Sequence, residues 1–504
     1  MAKKNDDTFL YGSQYIPSAE TKYRIIRWGW NGIDKNDVID SGKITDSSGV
    51  ICDPPYIVPA LKILDMKKSY SYPIGLSSQN NKILALYRDS AGNIAGDYFG
   101  DKILQTKNKI TLGAATGKEA GNSPEFERRT VSQFNVATGT ENIVQATYDR
   151  KMLFFPDKRS TPLNITSDTS AATLGESYPA LKYGAVYSSR LFGVTDNYVF
   201  ASKYNDYAGT ELDTADDTNT ANAWVSMSQS NVKADGKFTA IASYDNHVVL
   251  FKRDFMQLVY NNKNPFRIVD VGEYGCVSQY AVCESGGVMY FVSPKAVYAY
   301  GGGSPKRIDK DINVTSYPDD AALGAYDGAL YMGIGDKIYV YKNGAWSVFR
   351  DNIEVLQFAS TDSGIYALTK DGKIYALDYS EDVYSDYVDG YGEASVTDDG
   401  AWWFETDFFA AGRLDVRRIK KISLMCEIDN GADVSVYLLK DGEKWSASSR
   451  KVLESNTGGM RMLRQMIRQT SGYIHRVRIC GHGKVKFYAL ELQISYGGDL
   501  YVDS

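Results

Sequence analysis

The chain has 504 residues, 43% hydrophobic and 23% charged, which excludes intrinsic disorder and is too long for one ordinary core. A formal net charge of −6 argues against a general nucleic-acid binder. With 38 Tyr, 45 Gly and 13 Pro, the bias is toward strands and tight turns, and no amphipathic pattern at helical spacing exceeds about three turns.

The N-terminal stretch MAKKNDDTFLYGSQYIP has two lysines with no apolar run after them, so it does not read as a secretory signal. No segment approaches the ~18 apolar residues of a membrane span. Residues 1–60 stand apart as an N-terminal arm. The part from 28 to 62 holds short strands between Gly, Asp and Pro turns, with Pro54-Pro55 extended. Such an arm is expected to lie on other parts of the structure or to bridge to a neighbouring subunit.

From 61 to 378 one pattern recurs seven times: a polar turn, an apolar burst, a tight turn and a second Tyr/Phe/Val-rich burst. The copies are 80–99, 148–165, 187–204, 244–260, 285–302, 326–342 and 361–378. Measured from the turn before each first burst, the steps are 69, 39, 57, 40, 42 and 36 residues. Four lie near the ~40–50 residues of a four-stranded propeller blade. Turn pairs such as Asp327-Gly328 and Asp371-Gly372 make each copy a β-hairpin. A lone hairpin cannot bury its apolar face, so the copies must stack into a shared core. The expected fold is therefore all-β, a β-propeller of about seven blades, with Leu153, Phe154, Val249, Leu250, Met289, Phe291, Tyr331, Tyr366 and Leu368 in its core. Polar stretches at 105–140 and 205–223 account for the two long steps.

Residues 379–400 form an acidic linker; from 374 to 412 there are ten Asp and Glu and no Lys or Arg. Residues 401–504 carry five or six strand-like runs and are expected to make a C-terminal β-sandwich, jelly-roll-like in kind. Alternation in the last run sets Val485, Phe487, Ala489 and Glu491 against Lys486, Tyr488 and Leu490. The stretch 460–469 fits a strand, with helix as the alternative through Met460, Leu463 and Met466.

Chemistry-bearing patterns are sparse. Five scattered cysteines without a C-x-x-C pair read as buried thiols in a reducing cytosol. His247 opens an apolar strand and reads as structural. His475 and Cys480 are five apart, on opposite faces of a strand, which defeats a shared metal site. The run GGGSPK at 301–306 reads as a turn between two strands, and the acidic loop with Asp213, Asp216 and Asp217 as solvated. No catalytic residue, cofactor or metal is expected, and the chain reads as a non-enzyme. Propellers can host paired glycosidase carboxylates, but the sequence singles out no pair.

Several segments together resemble a family of bacteriophage virion proteins. They are GIDKNDVIDSGKITDSSGVICDPPYIVPALK (32–62), RKMLFFPDK (150–158), SRLFGVTDNYVFASKYNDY (189–207), GKFTAIASYDNHVVLFKRDFMQLVY (236–260) and GGVMYFVSPKAVYAYGGGSPKRI (286–308). Packaged-DNA stabilisation (tail hub) proteins of short-tailed phages are similar. The resemblance spans about residues 28–310 and rests on the order of the motifs. It implies a virion component at the head–tail junction or tail, made in the host bacterial cytoplasm, and no catalytic residues.

The expected role is a structural virion protein: a homo-oligomeric ring, hexamer or dodecamer, meeting other phage head–tail or tail proteins. Packaged DNA would pass it without sequence contacts, which the net-negative body suits. Residues 401–504 carry 16 Lys and Arg against 12 Asp and Glu, and the remainder 40 against 50, a distribution that permits head-to-tail association. Arg413, Arg417, Arg418, Lys420 and Lys421, just after the acidic linker, are the interface candidates. The rival reading is a propeller that binds or cleaves host-surface glycan.

Overall fold

The computed structural model describes residues 13–17, 22–35, 43–60, 63–79, strand and some turn residues within 82–226, and 236–260 and 266–379. In the C-terminal part it describes 395–396, 401–406, 417–440, 451–454, 458–466, 471–472 and 475–496. Almost all of this is strand; the described helical residues form two 3-10 turns, Gln279–Ala281 and Lys310–Ile312. Within the described residues, no helix is long and apolar enough to cross a membrane.

Seven antiparallel sheets of the propeller follow one another along the chain. Six are four-stranded meanders. Their innermost strands are Tyr72–Gln79, Val144–Tyr148, Tyr183–Tyr187, Phe238–Tyr244, Val282–Ser285 and Ala322–Tyr326, in blades 1 to 6. Blade 7 has Val355–Thr361, Gly364–Thr369 and Lys373–Tyr379, and its fourth strand, Leu64–Ser69, comes from the N-terminal side of blade 1. Tyr375 pairs with Asp65 and Ala376 with Leu64, so one sheet joins both ends of the repeat array. The inner strand of blade 7 packs on that of blade 1, where the Leu76 amide donates to Gln357 Oε1 at 2.8 Å. Gly372 is required at this seam: its φ is +86°, and a Cβ there would lie 1.9 Å from the Tyr70 carbonyl oxygen.

Each of the seven sequence copies proves to be the second and third strands of a blade. The turns explain why they were visible. Asp327 (φ 46°) and Gly328 (φ 70°) both take the left-handed conformation that matches a two-residue hairpin to strand twist. Of the expected core residues, Val249, Leu250, Met289, Phe291, Tyr331, Tyr366 and Leu368 are all buried. The side chains of Leu153 and Phe154 lie outside the described ones. So do nearly all of 105–140, 205–223 and the acidic linker; of the last, Ser395–Val396 pairs with Leu64–Ser69.

The C-terminal strands build two sheets packed face to face. Sheet I runs Ser13–Pro17, Lys22–Trp28, Val485–Tyr496, Arg417–Ile428, Gly459–Met466, and sheet II runs Ile44–Ser48, Ala401–Thr406, His475–His482, Asp433–Lys440, Lys451–Glu454. Rings from opposite sheets meet in the middle: Trp402 lies 5.2 Å and Phe404 5.1 Å from Phe487, and Trp30 lies 5.4 Å from Phe404.

Two expectations are corrected here. Residues 1–60 lie on other parts of the structure as expected, but not as a separate arm: their described strands enter both sandwich sheets, Lys22–Trp28 beside Val485–Tyr496 and Ile44–Ser48 beside Ala401–Thr406. Pairing in cis satisfies these backbone groups, so they need no neighbouring subunit. The alternation in the last strand also changes phase. A bulge at Tyr488 leaves Val485 and Phe487 buried, then turns Leu490, Leu492 and Ile494 inward, with Glu491 on the outer side. The stretch Gly459–Met466 is a strand.

The sandwich is bonded to the propeller along blade 6. The outer strand of that blade, Ala345–Asp351, is buried at its first six positions, where Ile33 and residues 47–52 lie along its free edge. Amides of Ile33 and Gly49 donate to the carbonyls of Trp346 (2.7 Å) and Phe349 (2.9 Å). The Val348 amide donates to Ser47 Oγ and the Cys52 amide to Ser347 Oγ, both at 3.1 Å. Gly49 (φ +73°) allows this approach, since a Cβ would meet the Arg350 guanidinium at 2.4 Å. One apolar cluster then runs from blades 4 to 6 into the sandwich.

Candidate functional site

Three places could act on another molecule: the propeller channel, the groove where propeller meets sandwich, and the outer face of sheet I.

Inner strands wall the channel with small side chains, and two cavities of about 330 and 320 Å³ open along it. Ser77, Ala242, Ser243, Ala325 and Ser360 line them, with Cys283 and Glu284 from blade 5. Glycosidic hydrolysis needs two carboxyl groups about 5–9.5 Å apart. Glu284 is the one carboxylate among the described lining residues. The Gln279 amide bridges blades 4 and 5 by bonding both the amide and the carbonyl of Ile241 at 2.8 Å. Burial pushes the Cys283 thiol well above its ordinary range, so it is a poor nucleophile.

The groove encloses about 730 Å³ between blades 6 and 7 and the outer face of sheet II. Strand register sets its floor in rows: Ala401, His482 and Asp433; Trp403, Cys480 and Ser435; Arg478 and Tyr437, with Glu405 paired beside Arg478 outside the lining. Arg350, Asp351 and Tyr375 form the propeller wall. The Arg478 guanidinium sits 3.7 Å over the Trp403 ring and 3.5 Å from Glu405. Burial raises the Glu405 carboxyl above the usual range, against the pull of Arg478 and Arg476. His482 Nδ1 is 2.8 Å from Asp433 Oδ1. The groove thus offers aromatic faces beside paired charges of both signs.

Of the interface candidates, Arg413 lies outside the described residues. Arg417 and Arg418 begin a central strand of sheet I, paired with Tyr496 and Ser495. Lys420 is exposed at a bulge, and Lys421, half-buried, stands opposite Met466. Beside them lies a feature the sequence analysis missed: Met460, Met462 and Met466, 47, 50 and 72% exposed, project from one face of the edge strand. Their period-2 spacing was the available signal, but the pattern alone does not say which face is buried.

His247 and His475 are buried, while His482 and Cys480 line the groove. His247 is buried, with Nε2 at 3.1 Å from Tyr300 Oη in blade 5 and Nδ1 at 2.9 Å from Asn246. His475 faces the sandwich core and Cys480 the opposite side of the same strand. All five cysteines are free thiols, and burial pushes Cys52 and Cys276 up to about 12. Gly301–Ser304 is the exposed bend joining the last two strands of blade 5.

No family model matches the chain, and no curated protein matches it. Solved structures with some likeness include virginiamycin B lyase from Staphylococcus aureus, at 11% identity over 64% of this chain and 100% of that one, TM-score 0.42. BamB from Moraxella catarrhalis matches at 8% identity over 64% and 98% of the two chains, TM-score 0.36. The β-propeller domain of the Trilobed protease from Pyrococcus furiosus matches at 10% over 65% and 98%, TM-score 0.36.

Proposed function

We propose that this chain is a structural virion protein of a tailed bacteriophage, one subunit of a homo-oligomeric ring at the head–tail junction or tail that retains and conducts packaged DNA. The observation that carries the reading is the bonding of sandwich to propeller along Ala345–Asp351. A continuous core across both parts makes a stiff wall element, as a ring under load from packaged DNA requires. The order of the phage-like segments along 28–310 supplies the setting.

The test is negative-stain imaging of the purified protein, together with mass spectrometry of phage particles carrying this gene. Rings of six or twelve copies, and the chain in washed particles, are the expected results. A monomer absent from particles would overturn the proposal.

The groove favours a second reading, binding of a host-surface glycan. Trp403, Tyr437 and Tyr375 present aromatic surface beside Asp433 and Ser435, the combination that holds a sugar's apolar face and its hydroxyls. Saturation-transfer NMR with host surface polysaccharide checks it; no transfer from the wild-type protein rejects it.

A further inference from the structure

We infer that the methionine-bearing outer face of sheet I is the surface through which one copy of this chain docks onto the acidic turn end of blades 4 to 7 of the next copy. The inference rests on the ring reading above and names the contact within it.

Four large apolar side chains stand exposed among the described residues, and three of them are Met460, Met462 and Met466. They occupy one face of one strand, at the end of sheet I's strand order. The register extends the patch inward: Met462 is opposite Met425, and Met460 opposite Glu427, which accepts a hydrogen bond from Tyr488 Oη at 3.0 Å. Beyond lie Tyr56 and Lys486, whose ammonium sits 3.9 Å over the Tyr56 ring. Edge strands of monomeric proteins are usually protected by charge, proline or a bulge. This strand pairs with Arg417–Ile428 over eight residues without a register shift and presents methionines. Methionine, tyrosine and arginine on one exposed sheet face are the composition of a protein contact, and methionine adapts to a partner's shape.

Charge selects the occupant. Lys421 is opposite Met466 and Arg464 opposite Ser423, placing cations among the methionines. The complementary surface is on the same chain. The turns joining first and second strands put Asp245 in blade 4, Asp327 in blade 6 and Asp362 in blade 7 at one end of the propeller, with Glu284 at that end of blade 5. All four are exposed, and Asp327 also lies 3.5 Å from Lys342 Nζ. Lys421, Arg464 and Lys486 outnumber Glu427 and Glu491 on the methionine face, and a mildly basic apolar face at one place with an acidic end at another makes a heterologous contact, the kind that closes into a ring.

The experiment is sedimentation velocity on the full chain across concentration, for wild type, Met460→Asp/Met462→Asp, Met460→Leu/Met462→Leu, Lys421→Glu, Asp362→Lys and the Lys421→Glu/Asp362→Lys pair. The substituted methionines are solvent-exposed, and circular dichroism verifies an unchanged fold. The aspartate pair should weaken association by about tenfold or more and the leucine pair should preserve it. Each single charge reversal should weaken association, with the double reversal recovering part of the loss. A ring that survives the aspartate pair overturns this contact and leaves the ring reading intact. Loss of the ring in the aspartate pair without any charge-swap recovery overturns the choice of occupant. A wild-type chain that stays monomeric throughout overturns the ring reading and this contact with it.

Discussion

The outer strands of blades 4 and 6 occupy the same position in the repeat and meet different fates. In blade 4, Arg267–Gly272 is half-buried, with Arg267 and Asp270 exposed. Its charged residues protect it from stray pairing. In blade 6, Ala345–Asp351 carries Trp346 and Phe349 on opposite sides and is buried through Arg350. A strand without charge until its sixth residue, with large aromatics on both faces, is one that something covers. The difference shows that the sandwich is built onto the propeller, and that the docking line is written in blade 6.

The comparison breaks most visibly at Trp346. Its ring is fully buried and its indole N–H donates to the Ile308 carbonyl at 2.7 Å. Trp346→Ala should cost about 3–5 kcal/mol in chemical denaturation, whereas Val269→Ala at the half-buried blade 4 edge should cost about 1 kcal/mol. Equal losses would show that the covered edge has no special weight.

A smaller change probes the approach of the two parts. Gly49→Ala puts a Cβ into a left-handed backbone and against the Arg350 guanidinium and the Ala401 carbonyl. The expected loss is about 2–3 kcal/mol, with earlier proteolytic cleavage between sandwich and propeller. Next come the two buried hydroxyls of the seam. Ser47→Ala and Ser347→Ala each strand a buried amide, Val348 or Cys52, and should each cost about 1–3 kcal/mol. Because both amides lie in one bonded line, the double variant should lose less than the two single losses added; strict additivity in denaturant melts would argue that the seam is two independent contacts.

These regions also show what could be read before the structure. Hairpin turns such as Asp327-Gly328 punctuate the middle strands of each blade, so the seven copies and the all-β fold were legible. The strand completing blade 7 was not, because LDMKKS is short and half polar, and Tyr375, partner of Asp65, lies some three hundred residues on. The same holds for Lys22–Trp28 and Ile44–Ser48: a strand whose partners lie at the far end of the chain carries no local sign of its pairing. Lys420 and Lys421 were picked by charge, while the methionines beside them were read as pattern alone.

The smallest expected effect comes from proton binding, and it separates the seams by chemistry. His247, in blade 4, spans the seam to blade 5 through Tyr300, while the blade 6 edge is held mainly by hydroxyls and peptide groups, with Ser48 Oγ also donating to Asp351 Oδ1 (2.9 Å) and Arg350 Nη1 to the Ala401 carbonyl (3.2 Å). Burial lowers the His247 pKa from its ordinary 6.5, against the opposing pull of Asp245. A lowered value means that the unfolded chain takes up the proton first as pH falls. Stability from this residue is therefore full above about pH 7, declines as pH drops through the unfolded value, and levels off below the folded one. His247→Asn removes the titration, so the variant should start less stable at about pH 7.5 and lose less than wild type by about pH 5. Backbone amide exchange should locate the acid loss in blades 4 and 5, leaving Ala345–Asp351 as protected as at neutral pH. Acid opening of the blade 6 edge first would mean that titrating groups beside the groove, Glu405 foremost, govern the joint between propeller and sandwich.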